Sequence, residues 1–291
     1  MTAQRVTVIG ASGFVGSHLV ARLRRRGLAV CCPPRGEEGQ LAGGDLGDLY
    51  YCAGLTVDYA RDPAATAEAH LGLLGQLLQS TRFERVVYLS STRLYDALAG
   101  QRLDETTPLP LEPLCPRHLY DLTKAAGESL CLALAGDRAR ILRLSCIWSQ
   151  GPTAQGFLPD LLRQLSAGPS LPGAPPLLVR SHPELARHYL HLEELLDAME
   201  ASVAHGQDPI VHLASDERAT TNAELLAFLE RRCAVPCAFE RLDGGLAAPP
   251  PPPPPPLLDL ERCRNLLLRS PTPLLSMLDA VLPPLSPCID P

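Results

Sequence analysis

The sequence has no excess of positive charge. Its 26 lysines and arginines stand against 32 aspartates and glutamates, a formal net charge of −6. That excludes the broad basic face by which proteins hold nucleic acid. No apolar run reaches membrane-spanning length. The first one, Val6–Ile9, is too short for the core of a secretory leader. The ten cysteines show no metal-ligand spacing: Cys31 and Cys32 are adjacent in a strand-like run, and Cys233 and Cys237 have neither a second pair nor a histidine nearby. There are no internal repeats. These absences predict a cytoplasmic protein with free, mostly buried thiols, no metal, no membrane and no nucleic-acid partner.

What is present is organised around Val6-Thr-Val-Ile-Gly-Ala-Ser-Gly-Phe-Val-Gly16. Val6 to Ile9 reads as a buried strand. Gly10, Gly13 and Gly16 follow, and Ser17 to Arg26 reads as a helix closed by Gly27. Arg22, Arg24, Arg25 and Arg26 sit where they complement that helix's dipole. Strand, glycine turn and helix form a cradle for a dinucleotide: Gly10 permits the tight turn, Gly13 lets the backbone approach a pyrophosphate, and Gly16 lets the helix pack on the strand. The helix N-terminus then offers N–H groups to the phosphates. At the end of the second strand, Leu28–Cys32, an acidic residue would hold the ribose 2′-hydroxyl of NAD. Cys32-Pro-Pro-Arg35 stands there instead. Arg35 suits a 2′-phosphate, so the cofactor reading is NAD(P) with a lean to NADP, and Glu37 and Glu38 keep NAD open.

The remaining chain alternates strand and helix. Leu49–Gly54, Arg85–Ser91 and Arg140–Leu144 read as strands, and 64–80 and 120–135 as helices. This pattern predicts an α/β fold, a Rossmann-type doubly wound parallel sheet, with the strand and helix between Pro33 and Asp48 abbreviated or absent. After Leu144 prolines at 152, 159, 169, 172, 175 and 176 break up short helices such as 157–167. Tyr189–Leu192 and Ile210–Ala214 return to strand character, and Thr221-Asn-Ala-Glu224 is a capping box. The expected division is a nucleotide-binding domain over 1–145 to which 181–215 return, and a smaller, Pro-rich substrate lobe from 146–180 and 216–291. Pro249–Pro256 is a run of eight prolines, a polyproline II rod read as a surface loop, with an SH3-like partner as the alternative.

Tyr120-Asp-Leu-Thr-Lys124 carries reactive chemistry. On a helix the two side chains lie one turn apart on one face. An ammonium about 6 Å from a phenol, at an effective dielectric near 20, favours the phenolate by roughly 2–3 kcal/mol, or about two pKa units. Such a tyrosine can exchange a proton near neutral pH.

The spacing GxxGxxG in Gly10-Ala-Ser-Gly-Phe-Val-Gly16, with Tyr-x-x-x-Lys about 110 residues later, resembles the short-chain dehydrogenase/reductase superfamily. The glycine segment is most similar to its extended branch, the NAD-dependent epimerase/dehydratase family. The resemblance covers essentially the whole chain, specifically in its first half and loosely in its second. It implies cofactor contacts at Gly10, Ser12, Gly13, Phe14, Val15, Gly16, Arg35, Ala53, Gly54, Tyr120 and Lys124, with Ala53 and Gly54 on the adenosine side. Ser90-Ser-Thr-Arg-Leu-Tyr95 resembles the family's SSxxxYG, whose hydroxyl four residues before the tyrosine is Ser91 here. The resemblance thus implies a catalytic set of Ser91, Tyr120 and Lys124, with Thr92 able to stand in for Ser91. Asp104, Glu105 and Pro108 resemble the acidic stretch before the tyrosine. Arg187-His-Tyr-Leu-His resembles the segment whose arginine meets a nucleotide diphosphate, so the implied substrate contacts are Thr92, Cys146 and Arg187.

The departures lie on the substrate side. His70 replaces an asparagine in the helix that positions the active-site water chain, Cys146 an amide, His188 an acidic residue, and Asp96 a glycine. Dehydratases carry an acidic pair after the catalytic hydroxyl, where this chain has Thr92-Arg93. The expectation is an NAD(P)-dependent epimerase or reductase acting on a hydroxyl or keto carbon of a nucleotide-activated sugar. The alternatives are a reductase of a non-sugar natural product and a non-catalytic dinucleotide-binding regulator. The resemblance also implies a homodimer through helices 64–80 and 120–135, with Leu122, Ala126, Leu130 and Leu134 as the apolar stripe.

Overall fold

The computed structural model describes residues 5–55, 59–115, 118–151, 154–167, 176–240 and 250–282. Strand β1 (Arg5–Ile9) leads through the glycine turn into α1 (Phe14–Arg25) and β2 (Ala29–Cys31). Then come β3 (Asp48–Tyr51), α2 (Pro63–Ala67), a π turn (Glu68–Gly72), α3 (Leu73–Ser80), β4 (Arg85–Ser91) and β5 (Arg102–Leu103). The long α4 (His118–Ala135) is followed by β6 (Ala139–Leu144), β7 (Cys146–Trp148), α5 (Phe157–Ala167), β8 (Leu177–Val179), β9 (Ala186–Arg187) and β10 (Tyr189–His191). The chain continues through α6 (Leu192–Ala204), β11 (Ile210–Leu213), β12 (Thr220–Thr221), α7 (Asn222–Cys233), β13 (Cys237–Phe239), β14 (Leu257–Leu258), α8 (Glu261–Leu267) and α9 (Leu274–Val281).

Six strands form one sheet in the order β11-β6-β4-β3-β1-β2, and every neighbouring pair is parallel. Helices cover both faces, and the sheet's side chains alternate between them as the two-residue strand period requires. Val6, Val8, Tyr50, Val87 and Leu89 pack toward α1 and α6, in one cluster with Leu19, Leu195 and Met199. Ile9, Leu49, Tyr51, Val86 and Tyr88 pack toward α3 and α4 with Leu74, Leu77 and Cys131. A third cluster, of Trp148, Leu158, Leu225, Leu229, Leu274 and Leu278, joins α5, α7 and α9.

The doubly wound parallel sheet expected from the alternation is present. Between β2 and β3 the described chain forms only a 3₁₀ turn at Glu38–Leu41, so β2 is the sheet edge. Strand β3 ends at Tyr51, three residues before the expected limit. Helix 64–80 is interrupted by the π turn, which buries His70 fully. The capping box holds: Thr221 accepts from Glu224 N–H, and the Glu224 carboxylate accepts from Thr221 N–H.

Pro249 and the prolines at 152, 169, 172 and 175 lie outside the described residues. Pro252 and Pro255 are half-buried while 250, 251, 253 and 254 are exposed, the three-residue period of a polyproline II helix lying on a surface. Its carbonyls are used by the fold. Pro254 accepts from Gly100 N–H at 3.0 Å, and Pro256 lies 2.9 Å from His188 Nε2. The rod leads into β14, which pairs with β5.

Candidate active site

The glycine turn lies at the carboxyl end of β1. Gly10 has φ +78°, and a Cβ there would come within 2.6 Å of Ala53 N. A Cβ on Gly16 would lie 2.2 Å from the Gly10 carbonyl oxygen, so this glycine is what lets α1 sit on the strand. Gly13 differs, since a Cβ there meets only Gly10 O at 3.3 Å. The space over Gly13 is open, and Ser12 and Gly13 are exposed while Phe14 and Val15 are half-buried. Gly13 caps α1 without a side-chain acceptor, and no acid stands in the first turn. The first N–H groups of α1 are therefore available to an anion. Arg35 is exposed beyond β2.

Helix α4 buries both Tyr120 and Lys124. Lys124 is the only lysine of the chain. Its ammonium donates to the Leu89 carbonyl at 2.7 Å and stands 4.9 Å from the Tyr88 ring centre. Desolvation pulls its pKa down to about 8, although Glu128, one turn along the helix, holds it up. Gly54 lies directly over this group: a Cβ there would fall 3.0 Å from His70 Nε2 and 3.3 Å from Lys124 Nζ. Gly54 therefore belongs to the Lys124 end of the cleft, whereas Ala53 packs on the glycine turn. Any side chain at 54 would close this strip.

His70 shares the strip. Its Nδ1 is 2.8 Å from Thr123 Oγ1, and that hydroxyl also lies 2.8 Å from the Leu119 carbonyl. A hydroxyl that gives its proton to a carbonyl accepts from the imidazole, so the Nδ1–H tautomer follows and Nε2 carries the lone pair. Nε2 is buried and has no hydrogen-bond partner among the described residues. Burial, with Lys124 nearby, lowers the His70 pKa to about 3, so the ring is neutral.

Three groups surround the Tyr120 ring. His70 stands edge-on at 5.5 Å, Tyr59 at 5.5 Å, and the Arg93 guanidinium at 4.9 Å from the ring centre. Ser91 ends β4, is buried, and accepts from Arg93 N–H at 3.2 Å. Thr92 turns away and donates to the Leu144 carbonyl at 3.3 Å. Ser91, Tyr120, Lys124 and Gly54 are thus linked through shared neighbours, Leu89 and Arg93 on one side and His70 on the other. Cys146 and Arg187 lie together farther out. Desolvation raises the Cys146 thiol's pKa, and the charges that act on it most are Arg187, Asp96 and Arg93. Arg187 donates to Asn222 Oδ1 at 3.0 Å and covers the Phe157 ring at 4.7 Å.

A buried polar chain runs beneath the site, and the sequence reading missed it. Ser90 Oγ donates to Glu128 Oε1 at 2.5 Å, and Arg143 clamps the same carboxylate at 2.9 and 2.7 Å. Arg143 also bonds Tyr95 Oη, which is 3.0 Å from His212 Nε2. The His212 N–H donates to Glu105 at 2.8 Å. Tyr95 and Glu105, expected as motif residues, are members of this framework. The one local signal was Glu128 itself, four residues after Lys124 on the same helix face.

The depressed Lys124 pKa has a stability consequence. Between pH 8 and about 10.4 the unfolded chain holds a proton that the folded chain has released, so stability rises with pH through this window. Lys124→Met lacks the effect. Comparing the two by urea unfolding, the wild type should gain on the variant by up to about 3 kcal/mol across that window. A constant difference would mean that the ammonium is not desolvated.

A family model, the NAD dependent epimerase/dehydratase family, matches residues 48–214. GDP-6-deoxy-D-mannose reductase of Pseudomonas aeruginosa is 29% identical over 245 residues, 78% of this chain and 79% of that protein. A 4-hydroxy-2-methyl-3-oxo-4-farnesyl-3,4-dihydroquinoline-1-oxide ketoreductase of Stigmatella aurantiaca is 29% identical over 187 residues, so the chain spans only 54% of that relative's length. The structure of RMD from Pseudomonas aeruginosa complexed with NADPH superposes with a TM-score of 0.68 at 22% identity, covering 94% of this chain and 96% of that one. The chain belongs to the NAD dependent epimerase/dehydratase family, nicotinamide-dependent enzymes of the extended short-chain dehydrogenase/reductase type.

Proposed function

We propose that the protein is an NAD(P)-dependent reductase or epimerase acting on a hydroxyl or keto carbon of a nucleotide-activated sugar. The observation that carries this reading is the strip at Gly54. There the single lysine of the chain, one helical turn from Tyr120, faces an open backbone segment that continues to the glycine turn. The open N-terminus of α1 and the bare Gly13 would hold a pyrophosphate. Lys124 would hold the nicotinamide ribose, and Arg35 would meet a 2′-phosphate, which favours NADP. When bound, the nicotinamide supplies hydride exchange with the substrate carbon. Tyr120 Oη gives a proton to the substrate oxygen in reduction and takes it in oxidation. Ser91 orients that oxygen. Arg187, beside Asn222, would anchor a diphosphate, and Cys146 would contribute to the substrate side, whereas Thr92, bonded to the Leu144 carbonyl, would have to turn to do so. Arg93 in place of an acidic pair disfavours dehydration. The Stigmatella ketoreductase favours a second reading, reduction of a non-sugar ketone, with the same proton chemistry and a different pocket.

Tyr120→Phe keeps the ring and removes the proton carrier. It should lower turnover roughly 10²–10⁴-fold with dinucleotide affinity nearly unchanged, while Ser91→Ala loses less. Gly13→Val should abolish dinucleotide binding and leave the fold intact. These outcomes are read with nucleotide-4-keto sugars and nicotinamide absorbance, with calorimetry for binding. Tyr120→Phe turning over at the wild-type rate would overturn the reading in favour of a non-catalytic regulator.

Arg35→Ala should weaken NADP far more than NAD, measured as two dissociation constants. Equal losses would show that the arginine does not read the phosphate.

We also infer a cytoplasmic homodimer paired through α3 and α4. Leu122, Leu130 and Leu134 are half-buried, Ala126 is exposed and Leu132 is 37% exposed, an outer apolar edge that suits a second copy. The nine described cysteines are free thiols, which suits a reducing compartment. Light scattering at micromolar concentration should give twice the chain mass, and a monomer would refute the pairing.

A further inference from the structure

We propose that Arg93 is a positioning residue for Tyr120, its guanidinium lying on the ring as a permanent positive charge that favours the phenolate. This rests on the reading of Tyr120 as the proton carrier.

The geometry separates the two cations that could serve Tyr120. Lys124 sits deeper, where its ammonium is committed to the Leu89 carbonyl and to the face of Tyr88. Its charge also weakens as pH rises through about 8. The Arg93 guanidinium, by contrast, is 4.9 Å from the Tyr120 ring centre and 5.7 Å from that of Tyr59, so it bridges both rings. A guanidinium stays charged across the working pH range and stacks on aromatic faces, which an ammonium does less well. Among the described residues no carboxylate forms an ion pair with Arg93, and Asp96, three residues on, is the acidic group that shares the Cys146 surroundings with it. The local backbone fixes the arrangement. The Arg93 N–H caps onto Ser91 Oγ, so the residue that would orient the substrate oxygen also sets the start of the turn carrying Arg93.

Among the described residues, the other groups around Tyr120 do not replace this charge. His70, from the π turn, is neutral. Tyr59, from the segment before α2, and Tyr88, from β4, are phenols. On α4 itself Asp121 is the next residue and opposes a phenolate. Glu128 also opposes it, but Arg143 clamps it. Among the described groups, the positive charge at Tyr120 therefore comes increasingly from Arg93 as Lys124 deprotonates. A guanidinium on the π face also attracts the neutral ring, but its attraction for a full phenolate charge is larger, so removing it raises the energy of the phenolate more.

The phenolate titration of the protein without substrate or cofactor reads this directly. Burial raises five of the seven tyrosines, Tyr95 to about 12 and Tyr50, Tyr51, Tyr88 and Tyr189 further. In full-length protein carrying Tyr59→Phe, the transition of Tyr120 is followed in near-ultraviolet phenolate absorbance. Its loss in Tyr59→Phe/Tyr120→Phe confirms the assignment. Adding Arg93→Gln should move that transition up by about one pH unit. Arg93→Lys should move it less, because the charge remains. A transition that stays in place in Arg93→Gln overturns the proposal. So does an Arg93→Gln enzyme whose KM for a nucleotide sugar rises while the pH profile of kcat is unchanged, since Arg93 would then be a substrate contact. The titration needs no turnover. If Tyr120→Phe kept full activity but the Arg93→Gln shift were present, the proposed function would fail and the Arg93–Tyr120 coupling would stand.

Discussion

One buried ammonium constrains the whole site. Taking Lys124 out of water costs several kcal/mol unless polar partners replace its hydration. The fold supplies them from three directions: the Leu89 carbonyl at the end of β4, the face of Tyr88, and the Glu128 carboxylate one turn along α4. Glu128 is buried in turn, and is held by Ser90 and by both arms of Arg143. Arg143 reaches Tyr95, and Tyr95 reaches His212. One buried charge thus commits residues from β4, α4, β6 and β11 to a single connected network. Helix α4 is held at the strand ends by this chain of bonds as well as by packing.

The same constraint explains which departures from the family pattern are tolerated. A histidine at position 70 keeps a neutral acceptor facing Lys124, because burial prevents it from charging. His188 serves the structure, with Nε2 against the carbonyl of Pro256 where the proline rod rejoins the fold. Among the described residues, no hydrogen bond joins Cys146 or Arg187 to the Lys124 network.

Much of this was legible in the chain. The strands β1, β4 and β6 and the helix α4 carry strong local periodicity, and the glycine turn and the Tyr120–Lys124 spacing are short-range patterns that local geometry determines. What was not legible depends on long-range placement or backbone irregularity. The π turn at 68–72 adds a residue to a helical turn and so points His70 at Gly54, which no 3.6-residue pattern reveals. The placement of Gly54 beside Lys124 follows from where β3 ends. The bonds from Glu128 to Arg143 and from Tyr95 to His212 join residues far apart in sequence. Arg93 read only as a missing acid, because its contact with Tyr120 is set by the 3₁₀ turn after Ser91.

The central claim is that Gly54, Lys124 and Tyr120 together form the nicotinamide end of a dinucleotide site. The most direct test is a crystal structure of the protein with NADPH, in which the distance from Lys124 Nζ to the nicotinamide ribose hydroxyls is measured. The account predicts hydrogen-bond contact there, with the pyrophosphate on the N–H groups of α1. A dinucleotide bound elsewhere, or with its nicotinamide ribose remote from Lys124, would contradict it.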